Sequence, residues 1–442
     1  LILADGEMSS EGWNFDTQEE ILNTLYRKIY YIRWDQPGAP FYAKLGALEG
    51  ITLDAGGLIT NGWGNTALYP KRKDLGVHVQ INETITPFKM GFEFVNNALQ
   101  DWSNDGGVIG GKFSFTPVGN APVLGDLRIG ISGMGDLNQY AALADSDGDF
   151  CPDLLDDAPN SETKCVDLVD NGRLGTEGVT SEVVENIETL VQPFEEQSSQ
   201  KIKDEFKKGN DFYLMAIDAY LPLLKGDFFS LSLHAEYARP VGDQPDLIQE
   251  SWAAIPLGFN AKAFIFRFGA DYLQLDKAFQ IGHFDANYDK FRAQVYDKDI
   301  KTKADLYWND DLGFRQGIFG RLGADLWAID LSGSYTHLIT NKSEVKDDIS
   351  FTAKLAVAPK ILEMIPKVSK AEIFYNKDRI GQDYYKDADG NQKSDSFWEK
   401  SIYTVAGTSV GIEMSAGMEL IWTTFYTWDR DENGNIIAKD QE

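Results

Sequence analysis

Two cysteines in 442 residues are too few to build a disulfide scaffold. No stretch of about 18 consecutive apolar residues occurs, which excludes a membrane-spanning helix. Basic residues are scarce: 41 Lys and Arg stand against 69 Asp and Glu, a net charge of −28. The clustered cations that phosphate contacts require are therefore missing, and a general nucleic-acid binder is excluded. Four histidines, His78, His234, His283 and His337, are scattered without metal-ligand spacing. No phosphate loop or dinucleotide motif is present. The run from Gly407 to Gly411 has the letters of a nucleophile elbow but lies inside a strand-like segment, not at a strand-to-helix turn. No enzyme is expected. The first residues hold no basic stretch followed by an apolar core, so a signal peptide is either removed or never present.

What the chain does have is apolar content of 43% with 12% aromatics, too much for a disordered polymer. Its apolar residues recur with period two. Phe88, Met90, Phe92 and Phe94 alternate with Lys89, Gly91 and Glu93. Phe229, Leu231, Leu233, Ala235 and Tyr237 alternate with Ser230, Ser232, His234 and Glu236. The same holds for 264–272 and 349–357, and most persistently from Val410 to Trp422. Weaker copies lie at 77–81, 109–115, 127–133, 213–221, 322–328 and 331–339. Successive strand side chains point to opposite faces, so each segment is a strand with one apolar and one polar face. The stretch 410–422 is either one very long strand or a hairpin with little turn signal.

Some connections are very short, such as that near Ala328, whereas Asp276–Asp311 and Asn376–Ser396 are long and polar. Short turns at one end and long loops at the other are the pattern of an outer-membrane barrel, and only a closed sheet can cross a bilayer. Aromatic residues near segment ends, among them Tyr272, Trp422, Tyr426 and Trp428, suit interfacial girdles. The expected fold class is all-β: a transmembrane antiparallel β-barrel of about 16 strands (about 14 to 18), with a partly helical insertion. The division expected is an N-terminal segment 1–35, first barrel strands 36–140, an acidic insertion 141–210, remaining strands 211–428 and a polar tail 429–442. A soluble β-protein alternates as well, with its apolar face inward, and is the competing reading.

The insertion holds the sharpest motif. Asp145, Asp147, Asp149, Asp153 and Asp156 fall at positions 1, 3, 5, 9 and 12 of a loop, and Cys151 at position 7 offers its carbonyl. This spacing lets a tight loop wrap a hard cation with oxygen ligands. The segment resembles the calcium-binding thrombospondin type 3 repeat, and the resemblance implies Ca2+ at these residues. It departs from an EF-hand loop in having Phe150 where Gly is preferred, and it occurs as a single copy. A solvated acidic loop without an ion is the alternative. Cys151 and Cys165 lie close enough in sequence for a local disulfide, which fits an oxidising compartment; two reduced thiols are the other option. Residues 181–208 read as helix through the stripe Val183, Val184, Ile187, Leu190 and Val191, interrupted by Pro193. Asp16 to Glu19 is a capping-box pattern before Ile21, Leu22, Leu25 and Ile29, which predicts a short helix ahead of a first strand around Tyr30 to Trp34; a hairpin strand is the competing reading. The loop Asp429–Asp440 is formally EF-like, but Asn433-Gly434 suits a hairpin turn better, and Asp387–Asn391 reads only as a loop.

A wider resemblance covers Phe41–Glu49 with Ile51–Ile59, which are similar to early strands of large bacterial outer-membrane barrels, and Ile281–Tyr288, similar to one of their loops. It implies a porin-like channel in a bacterial outer membrane, passing small solutes or ions, with outer-membrane lipid as its surroundings and room for a homo-oligomer. Lumen charges would then set selectivity. The candidates on polar faces are Lys112, Arg128, Glu236, Arg267, Asp271, Arg321, Asp325, Glu413 and Glu419. Two rivals stand beside this reading: a structural or surface-lattice protein whose barrel is packed shut, and a soluble secreted protein that binds glycans through exposed aromatics.

Overall fold

The computed structural model describes residues 31–67, 74–82, 89–99, 107–119, 121, 124–139, 211–296, 299–362, 364–386, 392–415, 418–430 and 436–438. Among the described residues, seventeen strands form one sheet. Sixteen of them follow one another: β1 (Tyr31–Trp34), β2 (Phe41–Gly46), β3 (Gly76–Ile81), β4 (Met90–Asn96), β5 (Val108–Phe115), β6 (Arg128–Asp136), β7 (Phe212–Leu224) and β8 (Phe229–Val241). The second half comprises β9 (Trp252–Ala263), β10 (Phe266–Asp276), β11 (Arg315–Leu326), β12 (Ile329–Thr340), β13 (Asp348–Val357), β14 (Val368–Lys377), β15 (Thr404–Ser415) and β16 (Met418–Arg430). Each pairs antiparallel with the next, an up-and-down meander without crossovers. The last strand of the sheet, Ile436–Ala438, folds back on β16. Among the described residues no ladder joins β1 to β16.

The expected alternation is present, and its polarity is inverted relative to a soluble protein. In β8, Ser232, His234 and Glu236 are buried, while Phe229 and Tyr237 are exposed. In β7, Asp218 is buried while Met215 and Ile217 are exposed. In β10, Asp271 is 1% exposed, while Phe266, Phe268 and Tyr272 are open to the surroundings. Register carries the outer face from strand to strand. Phe92 stands opposite Phe113, Phe113 opposite Ile131, Ile131 opposite Ile217 and Ile217 opposite Tyr237. A second row of the outer face runs through Leu331, Leu355 and Ile373 on β12 to β14. These directly opposed side chains form a belt of exposed large apolar residues around the sheet.

The two ends of the meander differ. At one end the turns are tight, only residues 264–265 between β9 and β10 and 327–328 between β11 and β12. At the other end run the long connections 47–75, 137–211, 277–314 and 378–403. Strands β7 to β16 have ten to thirteen residues each, enough to cross a bilayer at a tilt. The alternating run 410–422 is resolved as the hairpin of β15 and β16.

Several expectations are corrected. The first strand expected around Tyr30 to Trp34 is β1, and because Tyr31–Trp34 pairs with Ala43–Gly46 the sheet begins inside the segment set apart as 1–35. It ends beyond 428, because β16 reaches Arg430 and the supposed tail returns as a strand; the pairing of Arg430 with Ile436 makes this connection a hairpin. Ile51–Ile59 is not an early strand. Gly57 within it, and Gly50 and Gly62 on either side, adopt positive φ as turns do, and the segment instead closes a loop through the bridge between Ile51 and Trp63. The calcium loop Asp145–Asp156, Cys151, Cys165, the helix expected at 181–208 and the capping box at 16–19 lie outside the described residues. The insertion leaves the sheet intact, since β6 and β7 pair directly across it at the long-loop end.

The long connections do not simply hang in solvent. Leu48, Leu53, Leu58, Ile59 and Trp63 from 47–75 join Phe279, Phe284, Tyr288 and Trp308 from 277–314 in one apolar core. Val95, Val108, Met134, Phe212, Ile255, Leu275 and Leu338 meet them from the inner face of the sheet. The stretches Ile51–Ile59 and Ile281–Tyr288 touch here, the Gly282 N–H donating to the Leu58 carbonyl at 2.9 Å and the Phe284 N–H to the Ile59 carbonyl at 3.2 Å, and the adjoining Thr60–Asn61 pairs parallel with Phe284–Asp285.

Candidate functional site

The inner face below this core is a wall of paired charges. Opposite signs sit on neighbouring strands or one strand apart, because alternation aims every second residue inward and register brings them within reach. Lys112 on β5 donates to Asp218 on β7 at 2.8 Å. Glu93 on β4 accepts from Gln80 at 2.8 Å and lies 2.7 Å from His78 Nε2, both on β3. Asp271 on β10 accepts from Arg321 on β11 at 2.9 Å and lies 3.0 Å from His234 Nε2 on β8. Arg267 reaches Asp325 and Asp330, each at 2.8 Å, at the short-turn mouth. Glu372 on β14 takes Lys354 at 3.0 Å and Lys370 at 2.9 Å.

The segment 51–63 enters this wall from the long-loop end. Asp54 shapes its tip, accepting from the Ile59 N–H at 2.9 Å, the Thr60 N–H at 3.1 Å and the Thr60 hydroxyl at 2.6 Å. The tip docks on Glu236, whose carboxylate accepts from the Gly56 N–H at 2.5 Å and the Leu58 N–H at 3.3 Å. The approach at Gly56 is close: a Cβ there would stand 2.2 Å from Ile255 Cδ1 and 3.0 Å from the Glu236 carboxylate, so these side chains would have to shift.

A second anchor holds the connection 277–314 to the sheet. Arg292 makes a two-pronged bond to Asp136 at the end of β6, at 2.5 and 2.6 Å, and the Tyr288 hydroxyl donates to the same carboxylate at 2.8 Å. All three are buried. Burial works against the Arg292 charge, but the Asp136 carboxylate more than offsets this and holds Arg292 above the ordinary guanidinium range. Burial, then the Asp136 charge, pushes the Tyr288 hydroxyl well up. Lys303 donates to the His283 carbonyl at 2.7 Å and to Asp285 at 2.9 Å, and burial lowers its ammonium pKa.

His283 is enclosed by Phe212, Phe284, Tyr288 and Trp308, with ring centroids 4.6 to 5.8 Å away. Its Nδ1 accepts from the Trp308 indole at 3.2 Å. Burial, then the Lys303 charge, holds its pKa well below 6.5. The unfolded segment therefore binds the proton more readily than the folded one. The stability His283 contributes is complete above about pH 6.5 and falls as pH drops below that value. Trp308 fluorescence followed down a pH series will report loosening of this cluster, and His283→Asn will move the midpoint to lower pH. An unchanged midpoint would show that His283 does not govern it.

Of the residues singled out in the sequence, Lys112, Glu236, Arg267, Asp271 and Arg321 lie on the inner face, and Asp325 stands at its short-turn mouth. Arg128 shares the inward side of β6 with Gly130 and Ser132 but stands exposed at the strand's end. Glu413 and Glu419 are opposite one another beside the turn of the last hairpin. Asp218 and His234 lie in alternating segments, so their inward direction follows from the pattern. Asp54, Asp136, Tyr288, Arg292 and Lys303 were missed: they come from connections or strand ends, where no periodicity marks a direction. Among the described residues, no group of three or more His, Cys, Asp or Glu is arranged to hold a metal ion.

No protein-family model matches the sequence, and no curated protein matches it. Among solved structures the chain is similar to Wzi of Escherichia coli, an outer-membrane protein involved in group 1 capsule assembly and described as a carbohydrate-binding β-barrel. The identity is 10% and the TM-score 0.34, over 79% of this chain and 65% of Wzi. The chain thus spans slightly less than two thirds of that protein's length, and so slight a likeness has no bearing on what it binds.

Proposed function

We propose that this chain is a membrane-embedded β-barrel of the outer-membrane type, closed from within by its own segment 51–63, and that it serves as a structural platform rather than as an open pore. The exposed apolar belt supports the membrane. A sheet with charges buried on one face and Phe, Ile, Leu and Tyr exposed on the other is unsuited to water and suited to lipid. A bilayer also leaves no place for sheet edges, so the free sides of β1 and β16 must meet.

The observation that carries the closed reading is the docking of Gly56 and Leu58 on Glu236 beneath the apolar core. Diffusion through a porin needs a continuous aqueous path, and this core lies across the long-loop mouth. The platform would offer its long-loop face to partners. The porin-like channel is the alternative, and conductance separates them. Purified protein in a planar bilayer will show no steady current. A stable open-channel current from the intact chain would overturn the closed reading and favour diffusion.

A further inference from the structure

Four successive hairpins at the short-turn end carry large apolar residues at their tips, where a tight turn ordinarily places Gly, Asn, Asp or Pro. Phe228 leads into β8, Phe264 and Ile265 join β9 to β10, Trp327 joins β11 to β12, and Met364 and Ile365 lie between β13 and β14. All are exposed, Trp327 to 80%. These tips form one ordered rim. The Phe264 N–H donates to the Phe228 carbonyl at 2.7 Å, the Asp325 N–H to the Ile265 carbonyl at 2.8 Å, and the Ala358 N–H to the Ala328 carbonyl at 2.9 Å. The Phe264 and Phe229 rings meet edge to face at 4.6 Å.

Phe264 has a φ of +53°, a conformation that suits Gly or Asn and disfavours a bulky side chain. A phenylalanine kept at such a position is held there for its ring, not for its backbone.

The occupant follows from charge and continuity. In a chain of net charge −28, this rim is net positive. Among the described residues, Lys225, Lys262, Arg267, Lys354, Lys360, Lys367 and Lys370 stand against Asp126, Asp227, Asp325, Asp330 and Glu372; Arg267 engages Asp325 and Asp330, Lys225 engages Asp126, and Lys354 and Lys370 share Glu372. Lys360 and Lys367 bracket Met364 and Ile365 in the chain. The apolar belt runs into the tips without a polar break through the exposed Phe229, Phe266 and Leu326. A second copy of the same rim would bring like charges together. Apolar tips set among lysines match the interface of an anionic lipid leaflet.

We propose that the short-turn rim is seated in the headgroup layer of an anionic phospholipid leaflet, with Phe264, Trp327 and Met364 beneath the phosphates and the lysines among them. This rests on the membrane reading above and adds an orientation: the tight turns lie in lipid, and the long-loop end faces away.

The test uses the full chain in vesicles of phosphatidylcholine, with and without phosphatidylglycerol. Emission of the wild type minus that of Trp327→Phe isolates Trp327. In vesicles that have taken up the protein, this signal will be quenched by brominated lipid and shielded from aqueous iodide. Insertion will be higher with phosphatidylglycerol present. Phe264→Asn will fold in detergent as readily as the wild type, because Asn suits its φ. It will insert into anionic vesicles roughly tenfold less well, the size expected for one lost buried aromatic side chain. A Trp327 open to iodide and untouched by brominated lipid, or a Phe264→Asn chain inserting as well as wild type, would overturn the rim proposal alone. A wild type that enters neither vesicle would overturn the membrane reading beneath it.

Discussion

Arg292→Met will loosen the connection 277–314 by about 3–5 kcal/mol, the usual consequence of stranding one partner of a buried ion pair. Asp136 would keep its burial and the Tyr288 hydroxyl but lose both guanidinium bonds. Charge left in a medium of low dielectric is the costly part, so removing both partners is milder than removing one. The double variant Asp136→Leu with Arg292→Met will recover most of the loss. Hydrogen exchange of 277–314 will read the effect, with the amides of β9 and β10 staying protected. Arg267→Met is the internal comparison. Its pairs with Asp325 and Asp330 are half-exposed, and exposed pairs contribute only about 0–1 kcal/mol. Equal effects at Arg292 and Arg267 would contradict the placement of the first inside the mouth.

Replacing residues 49–64 by a short flexible linker will turn a silent barrel into a conducting one. The segment supplies Ile51, Leu53, Leu58, Ile59 and Trp63, all nearly inaccessible, to the core across the long-loop mouth. What remains behind them is a wall lined by Lys112, Asp218, Glu236, Asp271 and Arg321, which water readily wets. Barrels of about 16 strands are wide enough to leave an aqueous channel when nothing fills them. A milder change reaches the same end without shortening the chain. Gly56→Val places a side chain where the Ile255 and Glu236 side chains already stand, so these and the tip must move apart, and intermittent openings are expected. Bilayer recordings of both variants beside the wild type decide the matter. Silence in the shortened chain, with its β-structure intact by circular dichroism, would mean that something other than this segment blocks the interior.

The parts of this architecture that were legible in the sequence are those governed by local periodicity. Alternation at Phe229–Tyr237 and Phe264–Tyr272 marked the strands, and it marked which side of each was polar. Short connections near Ala328 and long ones after Asp276 marked the two ends. The same pattern leaves open which face is buried, because a sandwich and a membrane barrel alternate alike. Only the burial of Asp218, His234, Glu236 and Asp271 beside exposed Ile217, Tyr237 and Tyr272 separates them. The closing segment was illegible for another reason. Ile51–Ile59 has strand-like apolar content, and its conformation is fixed by glycines at positive φ and by Glu236 about 180 residues away in sequence. Arg292 and Asp136 are likewise far apart in the chain, and nothing local to either announces the other. Long polar connections carry no local mark of which residues turn inward, yet Asp54 and Asp289 are buried where those connections fold inward.

The most direct test of the account is a low-resolution density map of the protein in detergent. The account predicts a single closed barrel, with a detergent belt around Phe92, Phe113, Ile131, Ile217 and Tyr237 and with density filling the interior at the level of Gly56 and Glu236. An open sheet without a detergent belt, or a barrel with a clear water-filled path from end to end, would contradict it.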